Sequence, residues 1–302
     1  MSSLSKLYSL KTILLMISSA ACWGIGTIMS KALLSRLPPL TVLVIQLASS
    51  IVFLWAIALI SGQLQQVKQT QSKLLWRYGA PGLLEPGASY LLGLMGLTLT
   101  TASSSTLISS VEPVFILGLS WMLFKEQIQP LLFGLAAIAV VGVLLTVGVD
   151  LRSGDQSAIG DLLVAAGTGC AALYVVLSQV GARNLPAVSL AAIQQSIGLA
   201  GVIFVWVSLG QADQSQWATL PWNVWGLAIA SGIVQYALAF WLYLQALKTV
   251  TASIAAQFLS LTPVFGVAGA YVFLGERLTQ LQGVGMAIVV AAVIGIARMQ
   301  SE

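Results

Sequence analysis

Glu85 and Glu112 are the residues of this chain best suited to chemistry, because each is an acid near the middle of a long apolar run. Placing an acid at the centre of a helix in hydrocarbon costs roughly 2.5–3.5 kcal/mol on insertion scales. A basic partner would offset that cost, but no Lys or Arg falls in the middle of any apolar run. What remains is water, neutral hydrogen bonds, protonation, or a cation that comes and goes. Desolvation disfavours an ionised carboxylate, and a second carboxylate nearby does so too. At least one of the two acids is therefore expected to take up a proton in a working cycle. The other use of such a pair is to hold an ammonium group. The bland alternative is a protonated acid that only hydrogen-bonds a neighbouring helix. The turn between the two runs lies near Thr98, so both acids should sit at similar depth from the same membrane face.

Other polar and aromatic residues fall at depths where they could join such a site. Gln46, Gln194, Gln235 and Gln257 are amides inside apolar runs. Each could orient a polar solute, or merely tie two helices together with a bond averaging about 0.6 kcal/mol. Trp23 lies mid-run rather than at a membrane interface, where tryptophan usually sits. With Tyr90, Tyr174, Tyr236 and Trp241 it could wall a pocket for an amine or an apolar side chain, or simply pack. Ser105, Ser109 and Glu112 recur at i, i+4 and i+7, on one helical face. They are either a polar stripe or a small-residue packing seam. Pro86, Pro113 and Pro263 each remove a backbone donor inside a run and should break the helix there. Pro81, Gly82, Pro86 and Gly87 make the third run the most interrupted. Trp217, Trp222 and Trp225 sit where interface anchors belong.

The elements that must hold these residues are membrane helices. The 302 residues are 58% hydrophobic and 7% charged, with a mean hydropathy of +0.95. Soluble domains carry about 25% charged residues. The apolar blocks are about 20 residues long, the length that crosses a bilayer core. Ten spans are predicted, near 12–33, 39–61, 74–96, 101–124, 129–148, 158–181, 186–208, 222–246, 251–274 and 279–298. Lys6 and Lys11 precede the first block without a cleavage pattern, so that block is expected to stay as a span. The net charge of +4 is scattered over segment ends and forms no basic stripe, so no nucleic-acid partner is expected. Cys22 and Cys170 lie inside apolar runs and make no disulfide framework. With no His and no Cys cluster, neither a metal ion nor a cofactor is expected.

The chain is internally duplicated. Thr101–Glu126 and Thr251–Glu276 share Thr-Ala-Ser, Pro-Val-Phe and a terminal Glu at an offset of 150. Earlier, Cys22 aligns with Cys170, Ser30 with Ser178, Leu37-Pro38 with Leu185-Pro186 and Ile45-Gln46 with Ile193-Gln194, at an offset of 148. Residues 1–149 and 150–302 are thus two copies of five spans. An odd number forces the second copy to enter the membrane the other way, the inverted repeat of many secondary transporters. The expected fold class is an all-α membrane protein of ten transmembrane helices in two inverted five-helix repeats. Glu85 then matches Gln235 and Glu112 matches Thr262, so charge is confined to one copy. Lys6, Lys11, Lys68, Lys73, Arg77, Lys125, Arg183, Lys248 and Arg298 fall on one side. Only Lys31, Arg36, Arg152 and Arg277 fall on the other, which puts both termini in the cytoplasm. Glu126 and Glu276 close the fourth and ninth spans and are expected to cap the next helix or to latch onto basic groups, as Arg277 could for Glu276.

At the two Pro-Val-Phe stretches the sequence resembles the drug/metabolite transporter superfamily, in particular its ten-span EamA-type members. The second copy carries Ala246-Leu247-Lys248, Thr251-Ala252-Ser253, Pro263-Val264-Phe265, Gly275-Glu276-Arg277-Leu278-Thr279 and Gln282-Gly283. The first carries Cys22-Trp23-Gly24, Lys31, Ala102-Ser103, Glu112-Pro113-Val114 and Lys125-Glu126. Lys125-Glu126-Gln127 stands where Gly-Glu-Arg is usual. The resemblance implies alternating access in a cell (inner) membrane, often for export of amino acids, other metabolites or drugs.

A secondary transporter, working as an exporter, is the reading these features favour, for a small metabolite such as an amino acid or another amine-bearing solute. It would be driven by proton exchange or by the solute gradient alone. An uncoupled facilitator, an exporter of drugs or neutral metabolites, and a non-transporting scaffold stay open as alternatives. An enzyme is disfavoured, for there is no nucleophile elbow, nucleotide loop or metal cluster. The expected partners are a small-molecule solute, the lipid bilayer and protons, with the chain a monomer or homodimer.

Overall fold

The computed structural model describes residues 10–34, 36–97, 99, 108–147, 158–208, 220–274 and 279–298. Ser105, Trp217, Glu276 and Arg277 lie outside the described residues. The first copy contributes α1 (Leu10–Leu34), α2 (Pro39–Ile60), α3 (Leu64–Gln69), α4 (Ser72–Gly79), α5 (Ser89–Leu97), α6 (Glu112–Phe124) and α7 (Pro130–Val147). The second contributes α8 (Ala158–Asn184), α9 (Ala187–Ser208), α10 (Trp222–Gly232), α11 (Ala239–Ala246), α12 (Ala252–Leu259), α13 (Thr262–Leu274) and α14 (Gln280–Arg298). Among the described residues, seven stretches are long and apolar enough to cross a membrane, and Glu112–Phe124 and Pro130–Thr146 are shorter apolar helices. The short α3 falls in the connection between the second and third predicted spans.

Local sequence sets the helix ends. Proline needs no N–H partner and has a helical φ, so it suits a first turn. Pro39 opens α2, Pro130 opens α7, and Pro113 lies in the first turn of α6. Lys31, Arg183 and Arg298 occupy last turns, where a cation meets the negative end of the helix. Lys125 ends α6 in the left-handed region, φ 53° and ψ 31°, with its N–H donating to the Trp121 carbonyl.

Two spans are broken in corresponding places. After α4 the chain passes through a 3-10 turn (Ala80–Leu83) and a π turn (Leu84–Ala88) into α5. Within the π turn Glu85 is extended, φ −144° and ψ 126°. Pro81 and Pro86 supply no donor to either turn, as expected of the most interrupted run. The matching run, α10 to α11, carries a π turn at Ile233–Leu238 without any proline. A turn at Ser110-Val111 precedes Glu112-Pro113, and one at Ser260-Leu261 separates α12 from Thr262-Pro263. Pro113 and Pro263 thus each open the second half of a divided helix.

The packing exchanges the copies. Helix α2 packs on α9, and α7 on α14. Helix α1 packs on the Ile233–Leu238 turn, α11 and α13, while α8 packs on the Leu84–Ala88 turn, α5 and α6. Two glycines make these contacts possible. A Cβ on Gly82 would collide with the Gln194 carbonyl, and one on Gly232 with the Gln46 carbonyl and Ser49. The pairs 82/194 and 232/46 interchange under the offsets 150 and 148. Large apolar side chains cover the outside, among them Leu10, Val52, Ile60, Trp121, Phe204 and Trp222, a surface that hydrocarbon solvates. Cys22 and Cys170 are free thiols, half-buried in α1 and α8. Among the described residues Glu126 hydrogen-bonds neither its own following helix nor a basic group; its Oε2 accepts from Ser253 Oγ at 2.6 Å, in the first turn of α12.

Candidate functional site

A cavity of about 530 Å³ lies between the two copies. Glu85 and Glu112 both line it, half-buried, and the two carboxyl groups are close enough to interact electrostatically. Glu85 reaches the cavity from the extended stretch inside the π turn, and Glu112 from the first residue of α6. The helix breaks are what turn both acids to one space. A continuous helix would bond its own backbone and pack its sides.

The wall is paired through the duplication. Glu85 and Gln235 both line it, as do Glu112 and Thr262, Pro113 and Pro263, and Ser110 and Ser260. From α1 and α8, Thr27 and Val175 form another pair at offset 148. The cavity therefore lies where the two copies face one another, with acids on one side and amide and hydroxyl groups on the other.

Aromatic rings form a further part of the wall. Trp23, Tyr90 and Tyr174 line the cavity. Trp23 meets Phe240 edge-on at 5.1 Å and Tyr243 at 5.5 Å. Tyr174 meets Phe240 at 5.7 Å, and Tyr90 meets Tyr236 at 5.4 Å. The Tyr90–Tyr236 pair is tilted and the others are edge-to-face; such pairs are worth about 0.5–1.5 kcal/mol each beyond area burial. A desolvated ammonium beside these ring faces gains cation–π attraction as well as the carboxylates.

Not every expected residue reaches this space. Gln46 and Gln194 stand behind the wall, at 2% and 1% exposure. Gln46 Nε2 donates to Ser30 Oγ (2.7 Å) and Ser231 Oγ (2.8 Å). Gln194 Nε2 donates to Ser178 Oγ (2.9 Å) and the Tyr78 carbonyl (3.0 Å), and its Oε1 accepts from Tyr174 OH. Both amides are thus consumed by interhelical bonds in matching positions. Tyr236 is buried behind Tyr90 and Phe240 rather than on the cavity surface. Trp241 is half-buried against the core and does not line the cavity. Pro86 is buried beside Glu85, breaking the helix without facing the space, whereas Pro113 and Pro263 do both. Ser109 lines the cavity with Glu112, as a shared face requires. Thr27, Ser110, Ser260, Phe240 and Tyr243 went unrecognised in the sequence. The offset was the available signal, because Phe240 matches Tyr90, and Ser260 matches Ser110.

Known proteins support the same picture. The EamA-like transporter family profile matches residues 10–148 and again 158–298. An uncharacterized transporter of Methanothermobacter thermautotrophicus is 27% identical over 218 residues, 70% of this chain and 61% of that protein. The threonine/homoserine exporter RhtA of Escherichia coli is 30% identical over 178 residues, 57% of this chain and 56% of the exporter. The matches thus span roughly 60% of the length of these curated relatives. A protein of known crystal structure superposes with a TM-score of 0.79 at 17% identity, over 95% of this chain and 96% of the other, which establishes a shared fold.

Proposed function

The chain belongs to the EamA-like transporter family, and on that premise we propose that it is a secondary transporter exporting a small amine-bearing metabolite by alternating access. Its ten spans form two inverted five-helix repeats, residues 1–149 and 150–302, in an inner membrane with both termini cytoplasmic. The observation that carries this reading is the pairing of Glu85 and Glu112 in a cavity whose wall is drawn from both copies. Acids within the membrane face cavities or pathways by default, because lipid cannot solvate them. A solute ammonium and a proton compete for the same two carboxyl groups, so loading one expels the other. Proton exchange follows from that competition. The exchange symmetry of the packing supports the alternation, because the two copies can trade conformations about one cavity. RhtA, named for threonine and homoserine, supplies the first cargo to try.

The test is efflux of labelled L-threonine and L-homoserine from proteoliposomes under an imposed pH gradient. An inward proton gradient should accelerate export. Glu85→Gln and Glu112→Gln should each lower the rate at least tenfold and flatten its pH dependence. Variants that retain the parent's rate and pH profile would sink the proposal.

A further inference from the structure

A donor chain behind the cavity fixes the direction of one amide. Both hydrogens of Gln46 Nε2 are used, on Ser30 Oγ and Ser231 Oγ. Ser231 passes its own hydrogen to the Ala228 carbonyl at 2.9 Å. Ser30 accepts from Gln46 through a lone pair and keeps its hydrogen, which it donates to Gln235 Oε1. The Gln235 oxygen is therefore turned toward α1 and its NH2 group toward the cavity that Gln235 lines. Gln235 is 7% exposed, and among the described residues its Nε2 has no acceptor. That amide nitrogen opens onto the cavity, so a solute that displaces water there must accept a hydrogen bond from it or leave it unpaired.

The neighbouring wall has the same polarity. Helix α13 begins at Thr262, and Ser260, Thr262 and Pro263 line the cavity. At the matching place in α6 the chain itself supplies a carboxylate, Glu112. At α13 it supplies only a hydroxyl, so the first turn of this 13-residue helix carries no acid of its own at its positive end.

We propose that Gln235 is a specificity-determining residue whose NH2 group, with the first turn of α13, receives the carboxylate of a zwitterionic solute held by its ammonium group at Glu85 and Glu112. This rests on the amine-binding reading above and narrows it to solutes carrying both charges on one small frame, as an α-amino acid does. Gln46 and Ser30 act through Gln235 as positioning residues, since they hold the amide in the donating direction without facing the solute.

The experiment is direct binding to the purified full chain by calorimetry. The probes are L-threonine and L-homoserine against the corresponding aminopropanols, which lack only the carboxylate. The parent should prefer the amino acids by about tenfold or more. Gln235→Leu should bring that preference close to one while leaving aminopropanol binding in place. Gln235→Glu, nearly the same size and a safeguard against misfolding of the leucine variant, should reverse the preference by like-charge repulsion. Gln46→Leu should reduce the preference without abolishing binding, a change that loss of packing alone would not produce. Equal binding of acids and amines by the parent overturns the assignment but leaves the amine reading standing. Equal weakening of both probes in Gln235→Leu does the same. No binding of either class overturns both.

Discussion

Trp23 holds its place by its rings. It meets Phe240 and Tyr243 edge-on and presents its remaining surface to the cavity. Trp23→Phe keeps a ring in that set and should leave solute affinity within a few-fold of the parent. Trp23→Ala removes the ring from both contacts and should weaken binding by tenfold or more, with a stability loss of about 3 kcal/mol, the low end for aromatic truncation. Paired calorimetry and thermal unfolding would separate the two effects. Lys125 is a second residue-scale case. It occupies a left-handed backbone position, φ 53°, where the second copy carries Gly275 and a glycine would pay no Cβ penalty. That conformation costs an L-residue roughly 1–2 kcal/mol, partly offset by glycine's greater chain entropy. Lys125→Gly should therefore raise the unfolding midpoint slightly, and a fall would show that the lysine side chain holds something of its own.

At the scale of elements, the broken spans set the geometry. The 3-10 and π turns between α4 and α5 lie against α9 at Gly82, and the π turn before α11 lies against α2 at Gly232. Each close approach fixes where the adjoining turn, bearing Glu85 or Gln235, meets the cavity. Gly82→Ala and Gly232→Ala each force backbone apart. The expected cost is about 1–3 kcal/mol or more, with a parallel loss of solute affinity. Gly134 in α7 is the control, since a Cβ there meets nothing within 4 Å. Gly134→Ala should change stability by no more than about 1 kcal/mol and leave binding alone. Parent-like unfolding in Gly82→Ala would mean that this crossing is not what positions the break. The sequence pointed to the first break through its prolines and glycines. It did not reveal the second, because a π turn is one extra residue in a helix and leaves no compositional mark.

In the whole molecule the two copies are packed unequally at one pair of matching ends. Phe240, Tyr243 and Leu244 are almost fully buried, whereas their counterparts Tyr90, Gly93 and Leu94 are only half-buried. The tighter end is also where Glu126 reaches across to Ser253. Under the alternating access proposed above, this hydrogen bond should break in each cycle. Ser253→Ala should favour opening there. In a background with Cys22→Ala and Cys170→Ala, a cysteine introduced by Ser260→Cys should react several-fold faster with an impermeant thiol reagent added on the α12 side. Unchanged labelling would assign the Glu126–Ser253 bond to packing alone.

The sequence by itself determined the solvent, the duplication and the two acids. Each of these is written locally: in the length of apolar runs, in recurrence at a fixed offset, and in the cost of a carboxylate among apolar residues. The tertiary structure decided which polar groups are spent and which are free. Gln46, Gln194 and Gln235 look alike in their runs, yet only Gln235 faces the cavity. The difference lies in partners such as Ser231 for Gln46 and Tyr78 for Gln194, brought in by helices far away along the chain. A hydrogen bond needs two groups within about 3 Å and correctly aimed, and only the packing of the two copies brings them there.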